Sequence, residues 1–133
     1  VFTSLLTSVT ALAALLPGPV ADPKPYGSPP RPAEPKVALK LQYTSESGFA
    51  MAVTLACEPS GGGHPKPEAA CETLSAVGAD PGRIEPKTTA CVMIYAPVTA
   101  EITGVWRRMP VKWTHKFGNS CEMRRATGVL FEF

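Results

Sequence analysis

The sequence predicts an α+β domain: a five-stranded antiparallel sheet with one or two short helices and two disulfides. Three observations carry that expectation. Apolar residues alternate with polar or small ones in two separate regions, residues 37–57 and 98–117. Between them, residues 70–77 repeat apolar positions at three- and four-residue steps. Four cysteines, Cys57, Cys71, Cys91 and Cys121, spread over this length with no C-x-x-C pair.

The elements follow in order. Val37, Leu39, Leu41 and Tyr43 alternate with Ala38, Lys40, Gln42 and Thr44, a two-residue period that gives a strand one dry face. "SESG" interrupts it, and Met51, Val53, Leu55 and Cys57 then alternate with small residues. The two runs read as a hairpin. "EPSGGGHPKP" is a loop by its glycines and prolines. Pro67 suits a helix start, where a missing N–H costs nothing. Ala70, Cys71, Leu74 and Val77 share one helical face, and Gly78 ends it. "GADPGRIEPKTTA" has no period and is a loop. Val98, Ala100, Ile102, Gly104 and Trp106 share a face of the third strand. Met109, Val111, Trp113, His115 and Phe117 share a face of the fourth, with Arg107-Arg108 as the turn between them. "GNSCEMRRATG" is polar and long enough for one or two helical turns. Val129, Phe131 and Phe133 read as a fifth strand.

Length and composition set the class. The chain has 133 residues, room for one domain. Residues 1–21 carry no charge and hold a compact apolar segment from Leu5 to Leu16, with Ala21 a plausible cleavage point. This is a signal-peptide-like segment. The rival, a membrane anchor, is disfavoured because the strongest part is shorter than the ~20 residues a spanning helix needs. Residues 22–36 are a proline-rich flexible lead-in, unable to pair in a sheet or continue a helix. The folded domain is expected over residues 37–133, secreted and free of membrane after processing. A net charge of +2, with basic pairs only at Arg107-Arg108 and Arg124-Arg125, gives no stripe for nucleic acid. An even cysteine count in an exported chain reads as two disulfides rather than a zinc site, which only His64 and His115 could complete. Three pairings satisfy that count.

Catalysis finds little support. Asp80, the single aspartate of the folded region, sits in a loop beside Pro81 and Gly82. His115 falls on an apolar strand face, where a satisfied core histidine is the ordinary reading. His64, between glycine and proline, suits a structural role in a turn. No phosphate-cradling loop, carboxylate pair or metal motif occurs. The chain reads as a non-enzyme with no cofactor and no metal.

The segment that resists a purely structural reading is "CVMIYAP", residues 91–97. By periodicity alone Val92, Met93 and Ile94 form a small core strand. The flanks point the other way: Thr88, Thr89 and Ala90 lead in, Pro97 follows, and a bridged Cys91 can hold an exposed loop rigid.

From Val37 to Phe133 the chain resembles the Streptomyces-type subtilisin inhibitor family. The blocks that carry the resemblance are "VTLAC", "GHPKPEAACETLSAVG", "CVMIYAPV", "GVWRRMPVKW", "FGNSCEM" and the terminal "VLFEF". It implies disulfides Cys57–Cys71 and Cys91–Cys121. It implies Met93 as the primary specificity residue and Met93–Ile94 as the reactive peptide bond. Ala90, Cys91 and Val92 precede that bond as protease-binding positions, and Ile94 and Tyr95 follow it. Pro97 and Asn119 support the loop. The implied partner is a subtilisin-like serine protease, with a trypsin-like enzyme or a secreted metalloprotease as variants of the class. A cell-surface stalk or binding protein is the reading from outside that class. Three positions depart from the family pattern. Val92 stands where proline is common, which frees φ before Met93; Ala90 fills less space than the usual larger residue; Ala96 replaces a common acidic residue. The family also pairs sheet to sheet as a homodimer, and here the outward face of the first strand carries Lys40 and Gln42.

Overall fold

The computed structural model describes residues 13–23 and 25–133. Much of the signal-like segment, residues 1–12, therefore lies outside the described residues. The chain divides into two units, Val1–Arg31 and Pro32–Phe133. In the first, the described residues form neither helix nor strand and are exposed. Among the described residues no helix is long and apolar enough to cross a membrane.

The second unit is one antiparallel sheet with helices on one face. Its strands are β1 (Val37–Ser45), β2 (Ala50–Cys57), β3 (Val98–Trp106) and β4 (Met109–Phe117), in the order β2-β1-β3-β4. Its helices are α1 (Pro67–Ala76) and α2 (Ser120–Thr127), with 3-10 turns at Pro81–Arg83 and Gly128–Phe131. The register places Val37 opposite both Cys57 and Trp106, and Val98 opposite Phe117. Alternation decides which face is buried. Val37, Leu39, Leu41 and Tyr43 of β1 point inward beside Leu55, Ala100, Ile102 and Trp106. Ala70 and Leu74 of α1, Met123 of α2, and Leu130 and Phe131 close over them. Ala38, Lys40 and Gln42 occupy the opposite face of β1, of which Ala38 and Lys40 are exposed and Gln42 half-buried.

The Cys57–Cys71 bond joins the end of β2 to α1 across a 14-residue separation. Closing a loop of that size in the unfolded chain contributes roughly 3 kcal/mol in the chain-entropy model. His64 fixes the same region. Its ring is buried, Nδ1 accepts the Lys66 N–H at 3.0 Å, and Nε2 donates to the Leu130 carbonyl at 3.1 Å. The structural role expected for His64 in a turn is the one it has.

Two expectations are corrected. The sheet has four strands, because Val129, Phe131 and Phe133 do not form a fifth. Gly128, at φ +59°, turns the chain out of α2 into a 3-10 helix. Leu130 and Phe131 are both fully buried, a consecutive pair that a two-residue period cannot place on one face. His115 is not a core residue. It is exposed near the outer edge of the sheet, with its ring stacked against Trp113 and tilted on Phe117. Its neighbours on that strand face, Trp113 and Phe117, are half-buried and buried, so cover over this edge strand is uneven and the histidine falls in the open stretch.

Gly104 allows β1 and β3 to meet. Its φ is +140°, and a Cβ there would lie 2.2 Å from the Ala38 carbonyl oxygen. Because the obstacle is backbone, it cannot swing aside. Gly104→Ala should lower the unfolding free energy by about 2–3 kcal/mol, measurable by urea denaturation; a change under about 0.5 kcal/mol, the scatter of surface substitutions, would show that the close approach costs nothing.

Candidate functional site: a braced loop at the end of the sheet

The segment leading into β3 forms no strand. Val92, Met93, Ile94 and Tyr95 are 73%, 92%, 61% and 78% exposed, against the tendency of large apolar side chains to be covered. Ala90, Val92, Ile94 and Ala96 line a cleft against Asn119, Ser120 and Cys121. Alternate residues of the extended segment thus face their support, and Met93 and Tyr95 project away from it. The Ile94 N–H donates to the Val92 carbonyl at 2.9 Å. That closes a three-residue turn centred on Met93, which lies at negative φ, so the turn is of the inverse γ type.

What holds this segment is a set of restraints drawn from distant parts of the chain. Cys91 is bonded to Cys121 in the first turn of α2. Asn119 supplies the central contact. As N-cap of α2, its side-chain oxygen accepts the Glu122 N–H at 2.9 Å. That bond orients the amide, so that its NH₂ donates to the Ile94 carbonyl at 2.8 Å and to the Val92 carbonyl at 3.3 Å. The residue is buried, which shields these bonds from water. Among the described residues the Met93 carbonyl, between the two that are held, accepts no hydrogen bond.

Further contacts fix the two ends. The Lys87 N–H donates to the Arg125 carbonyl at 2.9 Å, before the loop. After it, the Ala96 N–H donates to Gly118 at 2.8 Å, and the Glu46 N–H donates to the carbonyl of the buried Pro97 at 3.2 Å. The Glu46 carboxylate takes a hydrogen bond from the Lys116 ammonium at 2.6 Å. That contact, aided by the negative charge of Glu46, holds the ammonium above the ordinary lysine range. Glu132 plays a matching part at the entry, bridging Lys66 and Lys87 at 3.1 Å each. Of these braces the sequence pointed to Asn119, Pro97 and the cysteines. It missed Gly118, which acts through its backbone carbonyl, and Glu46, Lys87, Lys116 and Glu132, whose only signal is surface charge, common to most proteins.

Elsewhere the chemistry is sparse. Among the described residues no three His, Cys, Asp or Glu side chains converge as metal ligands. A concavity of about 600 Å³ is lined by Pro35, Lys36, Glu58, Val105, Arg107 and Arg108 at the other end of β3. It contains the Arg107–Glu58 ion pair, and none of these lining residues is Ser, Thr, Cys or His. A small disulfide-bonded α+β domain that presents a backbone-restrained apolar peptide belongs among proteins made to be gripped by another protein.

Comparison with known proteins supplies the family. The subtilisin inhibitor-like family model matches residues 35–119, more than half of the chain. The chain belongs to that family, whose members inhibit proteases and are not enzymes. "Subtilisin inhibitor-like protein 1" of Streptomyces cacaoi is 40% identical over 102 residues, covering 73% of this chain and 93% of that protein. "Transglutaminase-activating metalloprotease inhibitor" of Streptomyces mobaraensis is 37% identical over 92 residues, 67% of this chain and 62% of that protein. Among solved structures, Streptomyces caespitosus sermetstatin in complex with Bacillus licheniformis subtilisin matches with a TM-score of 0.64 and 29% identity. That match covers 73% of this chain and 98% of sermetstatin.

The Glu132 bridge gives a pH prediction. Hydrogen bonds from Lys66 and then Lys87 hold its carboxyl below the usual carboxylate range. On acidification the unfolded chain is protonated here first. The stabilisation is complete above the unfolded value, about 4.3, and is lost as pH falls through the lower native value. Glu132→Gln should therefore show a smaller fall in Tm than the parent between about pH 5 and pH 2.5; identical slopes in a pH series of thermal melts would show that the bridge contributes nothing.

Proposed function

We propose that the chain is a secreted inhibitor of subtilisin-type serine proteases that offers residues Ala90 to Tyr95 as a substrate mimic, with Met93–Ile94 as the scissile bond. The observation that supports this most is the contrast at Met93: the most exposed side chain of the segment, on a free carbonyl, between two carbonyls held by a buried amide. An extended peptide of this form adds to the edge of a protease's substrate groove through main-chain hydrogen bonds. Met93 enters the S1 pocket, where an unbranched thioether adapts to a broad apolar cavity. Since the Cys91–Cys121 bond and Asn119 already fix the shape, little ordering entropy is lost on docking. Complexes of this kind bury about 1,600 Å² in total. The solved complex of sermetstatin with subtilisin supports the choice of protease class.

The same restraints explain resistance to digestion. After cleavage the new amine at Ile94 stays in place, its carbonyl on Asn119 and its chain running through Ala96 and Pro97 into β3. Resealing then competes with hydrolysis. Val92 and Ala90 temper affinity, the first by leaving φ free, the second by filling less of the S4 site. A metalloprotease target is the second reading, favoured by the Streptomyces mobaraensis relative. Secretion follows from the leader and from four cysteines with none free. Pairing of two copies across the outer sheet face, through Ala38, Lys40 and Gln42, belongs to the same reading and is checked by sedimentation.

The test is titration of subtilisin, a trypsin and a secreted zinc protease with the purified protein. Stoichiometric loss of subtilisin activity is expected, with a slowly formed nicked product whose new N-terminus is Ile94. Met93→Lys should move preference toward trypsin, whose S1 pocket is acidic. Asn119→Ala should remain folded yet be digested about 5- to 30-fold faster, the cost of a lost buried hydrogen bond of roughly 1–2 kcal/mol. A new N-terminus elsewhere in the chain would refute the assignment of the bond.

A further inference from the structure

We infer that Met93 is an oxidation-sensitive site through which peroxide switches off the inhibitor; this deepens the proposed function and rests on Met93 being the residue that enters the protease pocket. The four methionines of the chain occupy four different environments. Met93 is 92% exposed, Met109 66%, Met51 38% and Met123 fully buried. The Met51 sulfur is further engaged by the Tyr43 hydroxyl at 3.3 Å. Met93 stands at the apex of a turn whose neighbours lean toward their support, so its thioether has open solvent on every side. The restraints that present it to a protease present it equally to small oxidants.

The chemistry balances with hydrogen peroxide as the sole co-reactant, the proton of the attacked oxygen passing to the departing hydroxide. The thioether sulfur attacks one peroxide oxygen, an S–O bond forms, the O–O bond breaks, and the second oxygen leaves as water. Sulfur loses two electrons and no protein bond is broken. The product, a sulfoxide, is polar and carries a strong hydrogen-bond acceptor. In an apolar S1 pocket that oxygen is desolvated without a donor, a penalty that corresponds to inhibition weaker by about 10- to 100-fold. A dithiol reductant reverses the step, returning the thioether and releasing water and a disulfide. Once docked, the sulfur lies inside the pocket, so free inhibitor is vulnerable and bound inhibitor is sheltered.

Met109 serves as an internal control. It opens β4, while the loop enters β3 at Val98 beside the other end of that strand, at Phe117. Eight residue steps along a strand separate the two ends by roughly 26 Å. Oxidation there leaves the loop untouched.

The experiment treats the full chain with graded hydrogen peroxide, removes the excess, maps sulfoxide by peptide mass spectrometry, and titrates subtilisin. Met93→Leu and Met109→Leu are carried through in parallel, each compared with itself before treatment. Expected is oxidation in the order Met93, Met109, Met51, Met123, with inhibition falling 10-fold or more in step with Met93 sulfoxide, as estimated above. Methionine sulfoxide reductase should restore it. Met109→Leu should lose inhibition as the parent does, and Met93→Leu should keep whatever it had. Full oxidation of Met93 with inhibition unchanged, or equal loss in Met93→Leu, overturns the switch alone. Untreated protein that leaves subtilisin fully active overturns the inhibitor reading, and the switch with it.

Discussion

One side-chain amide ties the exposed loop to the domain. Asn119 uses its oxygen to cap α2 and its nitrogen to hold the carbonyls of Val92 and Ile94. The two roles depend on each other. A helix N-terminus has N–H groups without partners, and the capping bond that satisfies one of them fixes which way the amide faces. The NH₂ is then left pointing at the loop, in a buried site where an unmade hydrogen bond is costly. The helix thus sets the loop's shape, and the loop consumes donors that the helix start would otherwise bury unpaired.

The rest of the architecture serves to keep that amide in position. The buried face of the sheet seats α2 through Met123, and the Cys91–Cys121 bond sets the distance between helix start and loop. The exit is anchored through Pro97 to the β1–β2 turn, residues distant in sequence but adjacent across the sheet. Rigidity here is assembled from contacts at both ends and the middle, while the exposed side chains of Val92, Met93, Ile94 and Tyr95 remain uncommitted. Exposed ion pairs such as Lys116–Glu46 add little energy individually. Their contribution is geometric, setting where the chain leaves the loop.

Much of the fold was legible because burial imposes period. The strands at residues 37–45 and 98–106 alternate cleanly, since each has one face against the core. The C-terminus misled for the same reason: Val129, Phe131 and Phe133 alternate by accident, and the unbroken apolar run at 129–131 signals a compact 3-10 turn instead. His115 misled because cover over an edge strand can be uneven: Trp113 and Phe117 on either side of it are more buried than it is. The loop was not legible from periodicity at all. An apolar run reads alike whether it faces the protein's own interior or another's, and what separates the two is tertiary support. The resemblance to a family, rather than residue spacing, supplied the cysteine pairing and singled out Met93.

The bond between Cys91 and Cys121 has a topological consequence. It closes the main chain from residue 91 to residue 121 into a covalent ring. That ring contains the loop, β3, β4 and the helix cap. A protease that cuts once anywhere within it opens a circle and severs nothing. The molecule gains one water and stays a single covalent piece, and its fold need only survive a gap, which is a far milder demand than holding two separate pieces together.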